Sequence, residues 1–187
     1  MTPFEQAMNF TMKYEVGPWW NPDDPEVIAG LCSTKDQKRK TGYVNDPLDR
    51  GGETKYGIAK NSNANVDIVK LNLDEAKKIY EAKYWQVGKC NELPGKVAVA
   101  HFDACVNHGP KKAIQFLQRA LGVSDDGDFG PATKTALGAA LARENVLNKM
   151  IAERRRFFSA VVQNNPSQQR FLTGWMNRCD DLQRSLA

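Results

Sequence analysis

Two stretches of this sequence carry its most distinctive pattern: residues 14–17, YEVG, and residues 42–58, GYVNDPLDRGGETKYGI. Both combine acidic side chains with glycine and other polar residues, a composition typical of turns rather than helix interiors. Carboxyl groups held in such a setting indicate a reaction site.

The first stretch lies at the end of a predicted helix over residues 2–16. Thr2 suits the N-cap, Pro3 suits the first helical position, and Glu5 follows Thr2 at the capping-box spacing. A Gly-Pro pair ends the helix, so Glu15 falls in its last turn. The unpaired carbonyl groups there disfavour a negative charge and favour the protonated acid. A protonated carboxyl group is what a general acid requires.

Residues 17–41 separate the two stretches and are interpreted as an inserted loop. They include three prolines, Trp19, Trp20 and the basic run 38–40, and they show no sustained helical or strand period. Loops of this length are usually functional or disordered. The two tryptophans could stack on a sugar ring, although packing of the loop onto the body is the alternative interpretation.

The second stretch predicts turns and a short β-hairpin, with Tyr43, Val44, Tyr56 and Ile58 at the strand-like positions. Apolar residues at helical spacing dominate from about residue 64 onward. The predicted helices are one that begins at Asn72, then residues 96–108, one from Pro110, residues 131–141, residues 144–163, and one that begins at Asn165-Pro166. The fold class is therefore α+β and predominantly α-helical, with one small turn and hairpin element near residues 42–58.

Composition and charge narrow the function further. The sequence has no run of about eighteen apolar residues and no secretion signal at its N-terminus, so we expect a chain made and kept in the cytoplasm until something releases it. Its four cysteines are far apart in sequence, which fits reduced thiols better than a disulfide framework. Residues 1–110 carry 14 basic and 15 acidic side chains, whereas residues 111–187 carry 12 and 7. A basic second half suits a polyanion such as bacterial wall, nucleic acid or anionic lipid.

A carboxyl group at a helix end, with further carboxyl groups in turns, suits cleavage of a glycosidic bond. One carboxylic acid protonates the leaving oxygen, and a second carboxylate activates water or stabilises the positive charge on the sugar. Glu15 is the candidate acid, Asp49 or Asp46 the candidate partner, and Thr54 a candidate for holding the water. The alternative is that Asp46 and Asp49 only cap turns.

When residues 17–41 are set aside, the joined stretches resemble the motif EGGYVNDPxDxGGxTxxGI of glycoside hydrolase family 108. The resemblance covers nearly the whole chain apart from those residues. It continues in AKYW at 82–85, FDACVNHG at 102–109, LQRALG at 117–122, DGDFGPAT at 126–133 and FLTGWMNR at 171–178. The chain departs from the family pattern in two ways. The second glycine of the opening motif is replaced by Val16 or displaced to Gly17 or Gly42, and the interruption itself separates the two parts.

The resemblance implies a lysozyme-like muramidase of the bacteriophage endolysin type, with a catalytic region at 1–109 and a helical peptidoglycan-binding region at 110–187. It maps the catalytic glutamate onto Glu15. Without the interruption Asp49 stands nine positions after it and Thr54 five further on, which makes Asp49 the preferred partner over Asp46. Candidate substrate-binding residues are Tyr43, Tyr56, Trp85, Asn107, Trp19 and Trp20. The implied partners are peptidoglycan and a holin-type membrane protein; we expect a monomer that binds no nucleic acid.

A row of possible metal ligands provides a rival interpretation. His101, Cys105 and His108 are spaced four and three residues apart on one helix face, and Cys90 is close in sequence. The same spacing fits a buried helix face, so we predict no metal; water, rather than any cofactor, completes the reaction. Asp103, in the same helix, is predicted to form an ion pair within the helices rather than to react.

Two other functions stay open at this point. A lytic transglycosylase can act with one glutamate and leaves a 1,6-anhydro sugar instead of a reducing end. A wall-binding protein without activity would need only the basic second half.

Overall fold

The computed structural model of the protein describes residues 1–46, 51–141 and 145–187. In these ranges the helices and strands are α1 (Pro3–Glu15), α2 (Pro25–Ala29), α3 (Lys35–Thr41), β1 (Thr54–Lys55), β2 (Ile58–Ala59), α4 (Leu73–Tyr80), α5 (Gly95–His108), α6 (Pro110–Leu121), α7 (Pro131–Leu141), α8 (Val146–Asn164) and α9 (Gln169–Ser185). The expected α+β, predominantly helical, lysozyme-like fold is confirmed. No helix in the described ranges is both long and apolar enough to cross a bilayer.

The chain forms two compact units. One comprises Met8–Lys83 and contains both strands; we call it the hairpin unit. The other comprises Met1–Ala7 together with Tyr84–Ala187; we call it the helical unit. The division predicted from the sequence stays a prediction: a catalytic region at 1–109 and a peptidoglycan-binding region at 110–187, packed together as one globular unit.

Capping side chains define the starts of several helices. At α1 the Glu5 N–H donates to Thr2 Oγ1 at 3.2 Å, and the Thr2 N–H donates to Glu5 Oε2 at 2.7 Å. The same reciprocal pair forms at α4, between Asn72 and Glu75, at 2.9 and 3.1 Å. Each pair satisfies two main-chain N–H groups that the first turn of a helix leaves unpaired. The predicted start of α1 is thereby confirmed.

The interpretation of residues 17–41 as a loop without regular structure is wrong, because the segment contains α2 and α3. Asp24 caps α2 by accepting a hydrogen bond from the Glu26 N–H at 2.8 Å. Thr34 and Gln37 form a capping box at α3. Helices of five and seven residues are too short to show a hydrophobic period, so their caps are the signal that marks them.

Charged side chains join the two short helices. The Lys40 Nζ lies 2.8 Å from a Glu26 carboxylate oxygen, 3.0 Å from one of Asp24 and 3.2 Å from one of Asp36. Hydrogen bonds to these carboxylates, that of Glu26 first, raise the pKa of Lys40 above its usual range. The segment also packs on the main chain before α4, where the Cys32 thiol donates to the Val69 carbonyl oxygen at 3.7 Å.

The sheet is an antiparallel hairpin in which Thr54 pairs with Ala59 and Lys55 with Ile58. Its turn residues, Tyr56 and Gly57, both have positive φ, 51° and 72°. This is the backbone of a tight two-residue hairpin turn. Tyr56 is therefore a turn residue, which corrects its prediction as a strand position.

Three contacts hold Tyr56 in this uncommon conformation. Its N–H donates to the Thr41 carbonyl oxygen at 2.9 Å, and its hydroxyl donates to the Val27 carbonyl oxygen. The Tyr80 hydroxyl donates to the carbonyl oxygen of Tyr56 at 2.9 Å. The Tyr56 side chain is fully buried, so the surrounding structure fixes the turn.

The helical unit is organised around a buried ion pair that joins α5, α8 and α9. The carboxylate of Asp103 lies 2.9 Å from Arg154 and 2.7 Å from Arg178. Asp103 and Arg154 are almost completely buried. Burial by itself would raise the pKa of Asp103, but the two guanidinium groups hold it below its usual value. The prediction that Asp103 forms an ion pair within the helices is confirmed.

Next to this ion pair, His108 lies in an aromatic cluster. Its ring is 5.2 Å from that of Phe116, 5.3 Å from that of Phe157 and 5.0 Å from that of Phe158. Burial, and after it the charge of Arg154, lowers the pKa of His108 to about 3. His108 is therefore neutral at pH 7 and acts as a core residue.

Candidate active site

Glu15 is the last residue of α1 and is half-buried at the turn of the hairpin. A Cβ on Gly57 would lie 3.1 Å from the Glu15 Cβ and 2.7 Å from the Tyr80 hydroxyl oxygen. Only a residue without a side chain fits between them at a φ of 72°. The turn thus brings its main chain directly against the side chain of the predicted acid.

The residues on either side of the interruption lie next to each other. A Cβ on Gly42, the residue after α3, would lie 3.3 Å from the Val16 Cα, so the two ends of residues 17–41 are in contact. Beyond Gly42 the chain pairs at once with the hairpin, because Val44 and Thr54 exchange main-chain hydrogen bonds of 2.9 and 2.8 Å. The two parts of the family-like stretch therefore meet at Val16 and Gly42 although they are separated in sequence.

The predicted partners of Glu15 differ in what the structure shows of them. Thr54 lies in β1, half-buried, and its hydroxyl donates to the Gly52 carbonyl oxygen at 3.2 Å. The lone pairs of that hydroxyl are still able to accept from a water molecule. Asp46 is exposed on the segment before the hairpin. Asp49, the preferred partner, lies outside the described residues, so its role stays a prediction.

Three of the six predicted substrate-binding residues are buried. Trp20 packs edge to face on Tyr56 at 6.3 Å between ring centroids, within the hairpin unit. In the helical unit Trp85 packs on Phe4 at 5.3 Å and donates from Nε1 to the Asn91 side-chain oxygen at 2.5 Å. These rings face protein rather than solvent, and their contacts are those of core residues.

The other three candidates have accessible side chains. Trp19 is 56% exposed, with the Arg39 guanidinium 5.9 Å from its ring centre. Tyr43 is half-buried in the hairpin unit, and Asn107 is exposed on α5 of the helical unit. Sugar binding by Trp19, Tyr43 and Asn107 stays a prediction.

Glu53 is a residue of this site that the sequence analysis did not select. Its carboxylate accepts a hydrogen bond of 2.5 Å from the Tyr43 hydroxyl, and this bond raises the pKa of Tyr43. Glu53 directly precedes Thr54 at the start of the hairpin. The sequence signal for Glu53 is its position after two glycines and directly before a strand residue. The sequence alone does not say which acidic residue of the stretch faces Tyr43.

Comparisons with known proteins identify two families that match separate parts of the chain. Residues 37–109 match the family described as Glycosyl hydrolase 108, and residues 112–180 match the family described as "Predicted Peptidoglycan domain". The solved structure of Brucella abortus SagA is similar to this chain, with 26% sequence identity and a TM-score of 0.62 over 77% of this chain and 84% of that one. No curated protein matches the chain significantly.

The fold and the first match define a glycoside hydrolase. Residues 37–109 form a glycosyl hydrolase 108 domain, residues 112–180 match a peptidoglycan domain, and the two matches together define a peptidoglycan-degrading enzyme. The first match begins at residue 37, so Glu15 and most of the interruption lie outside it. The role of Glu15 therefore rests on the split motif and on its position at the hairpin.

Proposed function

We propose that this enzyme is a phage endolysin of the N-acetylmuramidase type, which hydrolyses the β-1,4 bond between N-acetylmuramic acid and N-acetylglucosamine in peptidoglycan. The observation that carries the proposal is the contact of Glu15, at the end of α1, with the Tyr56–Gly57 turn of the hairpin. That contact joins the two halves of a glycosidase-like motif in one compact unit.

In this reaction Glu15 acts as the general acid. Its proton passes to the glycosidic oxygen as the bond to the anomeric carbon breaks, so the leaving sugar departs as a neutral alcohol. The anomeric carbon gains positive charge, which a second carboxylate stabilises directly or by activating water. Addition of water then gives a reducing end on the N-acetylmuramic acid. Asp49 is the proposed partner, Asp46 its alternative, and Thr54 the residue that orients water.

Local structure suits Glu15 to this role. The residue is the last of α1 and lies half-buried against the hairpin turn. The hairpin turn beside it is fixed by the buried Tyr56 and by the Tyr80 hydroxyl. A rigid support of this kind keeps an acid within reach of its substrate.

The C-terminal region is proposed to hold the wall polymer. Residues 111–187 carry five more basic than acidic side chains, and peptidoglycan carries acidic groups. Attachment through this region raises the effective concentration of glycan near the hairpin unit. The monomeric state, storage in the host cytoplasm and release by a holin-type partner are further parts of the proposal, which rest on the resemblance to phage endolysins.

Product analysis tests the proposal. Purified wall is digested with the enzyme, reduced with borohydride and analysed by mass spectrometry. A muramidase leaves a reducing N-acetylmuramic acid end, which borohydride converts to the alditol. A product one water lighter that resists reduction identifies a lytic transglycosylase, and a reducing N-acetylglucosamine end identifies cleavage of the other glycosidic bond. Either of these two products contradicts the proposal.

A further inference from the structure

A cluster of two thiols and an imidazole lies in the core of the helical unit. The sulfurs of Cys90 and Cys105 and one ring nitrogen of His101 lie within 4.8 Å of one another, and all three residues are completely buried. His101 and Cys105 are four residues apart on α5, so they share a face of that helix. Cys90 comes from the helical turn that precedes α5.

The main chain before Cys90 is shaped to admit both sulfurs. A Cβ on Gly88 would lie 2.5 Å from the Cys105 sulfur and 3.5 Å from the Cys90 sulfur. Lys89, which lies between Gly88 and Cys90 in the chain, has a φ of 59°, in the left-handed region that few residues other than glycine adopt. An uncommon backbone conformation and a glycine without space for a side chain thus hold the two thiols against each other.

The hydrogen bonding of His101 leaves one ring nitrogen unaccounted for. Its Nε2 lies 2.9 Å from the Gly88 carbonyl oxygen, while its buried Nδ1 finds no hydrogen-bond partner within the described part of the chain. Buried polar atoms are nearly always satisfied. A bound ion would account for one nitrogen and the carbonyl oxygen for the other, which is the arrangement that orients most metal-binding histidines.

We propose that Cys90, His101 and Cys105 bind one zinc(II) ion that stabilises the helical unit. Two thiolates and an imidazole are the ligands that zinc prefers, at about 2.3 Å for sulfur and 2.0–2.1 Å for nitrogen. Binding releases the two thiol protons to solvent, so the dication and two thiolates form a group without net charge, as a buried site requires. A main-chain oxygen or a water molecule completes the tetrahedron.

The sequence row of His101, Cys105 and His108 does not form such a site as a whole. His108 is part of the aromatic cluster with Phe116 and Phe158, and Cys90 takes its place. The zinc site lies in the helical unit, whereas Glu15 lies in the hairpin unit, so the role assigned to zinc is structural. The site is independent of the proposed glycosidase mechanism.

Metal binding is tested on the full chain, purified under reducing conditions without chelator. Elemental analysis and competition with a chromophoric chelator measure zinc, and cobalt(II) substitution reports thiolate ligands by their charge-transfer absorption. We expect about one zinc per chain. We also expect zinc to raise, and a chelator to lower, the midpoint of thermal unfolding of the unmodified chain.

Variants then identify the ligands. Cys90→Ser, Cys105→Ser and His101→Gln should each lose the cobalt absorption and lower zinc affinity by more than the roughly 10–100-fold cost of removing an outer-shell partner. The control is Cys179→Ser, which removes another buried cysteine of the helical unit and should bind zinc normally.

Three results would overturn the proposal. They are a reduced, unmodified chain that binds neither zinc nor cobalt, unchanged binding by Cys90→Ser and Cys105→Ser, and a Cys90–Cys105 disulfide in protein isolated with its thiols trapped. The measurements on the unmodified chain decide the question even if a variant fails to fold.

Discussion

Replacing Gly57 by alanine tests whether the hairpin turn supports Glu15. The new methyl group would lie 2.7 Å from the Tyr80 hydroxyl oxygen and 3.1 Å from the Glu15 Cβ, so at least one of these groups must move. Movement of the Tyr80 hydroxyl would break the hydrogen bond of 2.9 Å that it donates to the buried carbonyl oxygen of Tyr56.

The expected magnitude has two parts. Alanine at a φ of 72° costs roughly 1–2 kcal/mol of backbone strain. Loss of the Tyr80 hydrogen bond leaves a buried polar group unsatisfied, which costs about 1–3 kcal/mol. The local stability of the hairpin should therefore fall by about 2–5 kcal/mol. If Glu15 moves by about 1 Å, wall-clearing activity should fall on the order of a hundredfold.

Gly122→Ala is the matched control. Gly122 has a φ of 71°, but a Cβ there would meet nothing within 4 Å, so this variant carries the strain without the contact. Hydrogen exchange, followed by mass spectrometry over residues 54–59 and 118–123, measures the local stability of each variant. Equal losses in the two variants, with full clearing activity in Gly57→Ala, would refute the argument that the turn supports Glu15.

Three further predictions concern the buried ion pair, the buried His108 and the reaction partner. Asp103→Asn should lower the free energy of unfolding by about 3–5 kcal/mol in urea titrations because it leaves buried guanidinium groups uncompensated. Asp125→Asn, at an exposed ion pair, should change it far less. The folded pKa of His108 is about 3, below its unfolded value near 6.5, so its contribution to stability is complete above pH 6.5 and decreases as the pH falls. At pH 5 the loss of stability should approach 2 kcal/mol. His108→Leu should remove that part of the pH dependence, and an unchanged slope of stability against pH in this variant would contradict the prediction. Asp49→Asn should lower the clearing rate by about 10²–10⁴-fold while Asp46→Asn changes it little, and the reverse order would make Asp46 the partner.

Local signals explain what the sequence predicted well. The start of α1 follows from Thr2 and Glu5, and the starts of α6 and α7 follow from Pro110 and Pro131. A cap or a proline acts within one helical turn, so no distant contact is needed to recognise it. The ion pair of Asp103 was also predictable in kind, because a buried charge requires a partner.

Other features depend on contacts that the sequence does not contain. Tyr56 was expected in a strand, but a buried hydrogen bond and its packing hold it in a left-handed turn. Trp20 and Trp85 were candidate sugar platforms, and nothing in the sequence distinguishes an aromatic ring in the core from one on a glycan. Cys90 could not be placed beside His101, because that approach depends on the backbone of residues 88 and 89.

The segment 17–41 contains capping residues that indicate helices, but other features of its sequence favoured a loop. Thr34 and Gln37 have the capping-box spacing, and Asp24 precedes a proline at the start of α2. Three prolines and the absence of a hydrophobic period favoured a loop instead. Short helices bury few residues, so caps rather than periodicity identify them.

The central claim, that Glu15 is the general acid, is tested most directly by the hydrolysis rate of Glu15→Gln on purified peptidoglycan. Glu81→Gln is the control, because Glu81 is another half-buried helical glutamate of the hairpin unit, at the point where α4 continues into the helical segment 81–86. Hydrogen exchange over residues 54–59 confirms that both variants are folded. We expect Glu15→Gln to lose about 10²–10⁴-fold in rate and Glu81→Gln to retain full activity. A folded Glu15→Gln variant that releases muropeptides at the rate of the unmodified enzyme would contradict the claim.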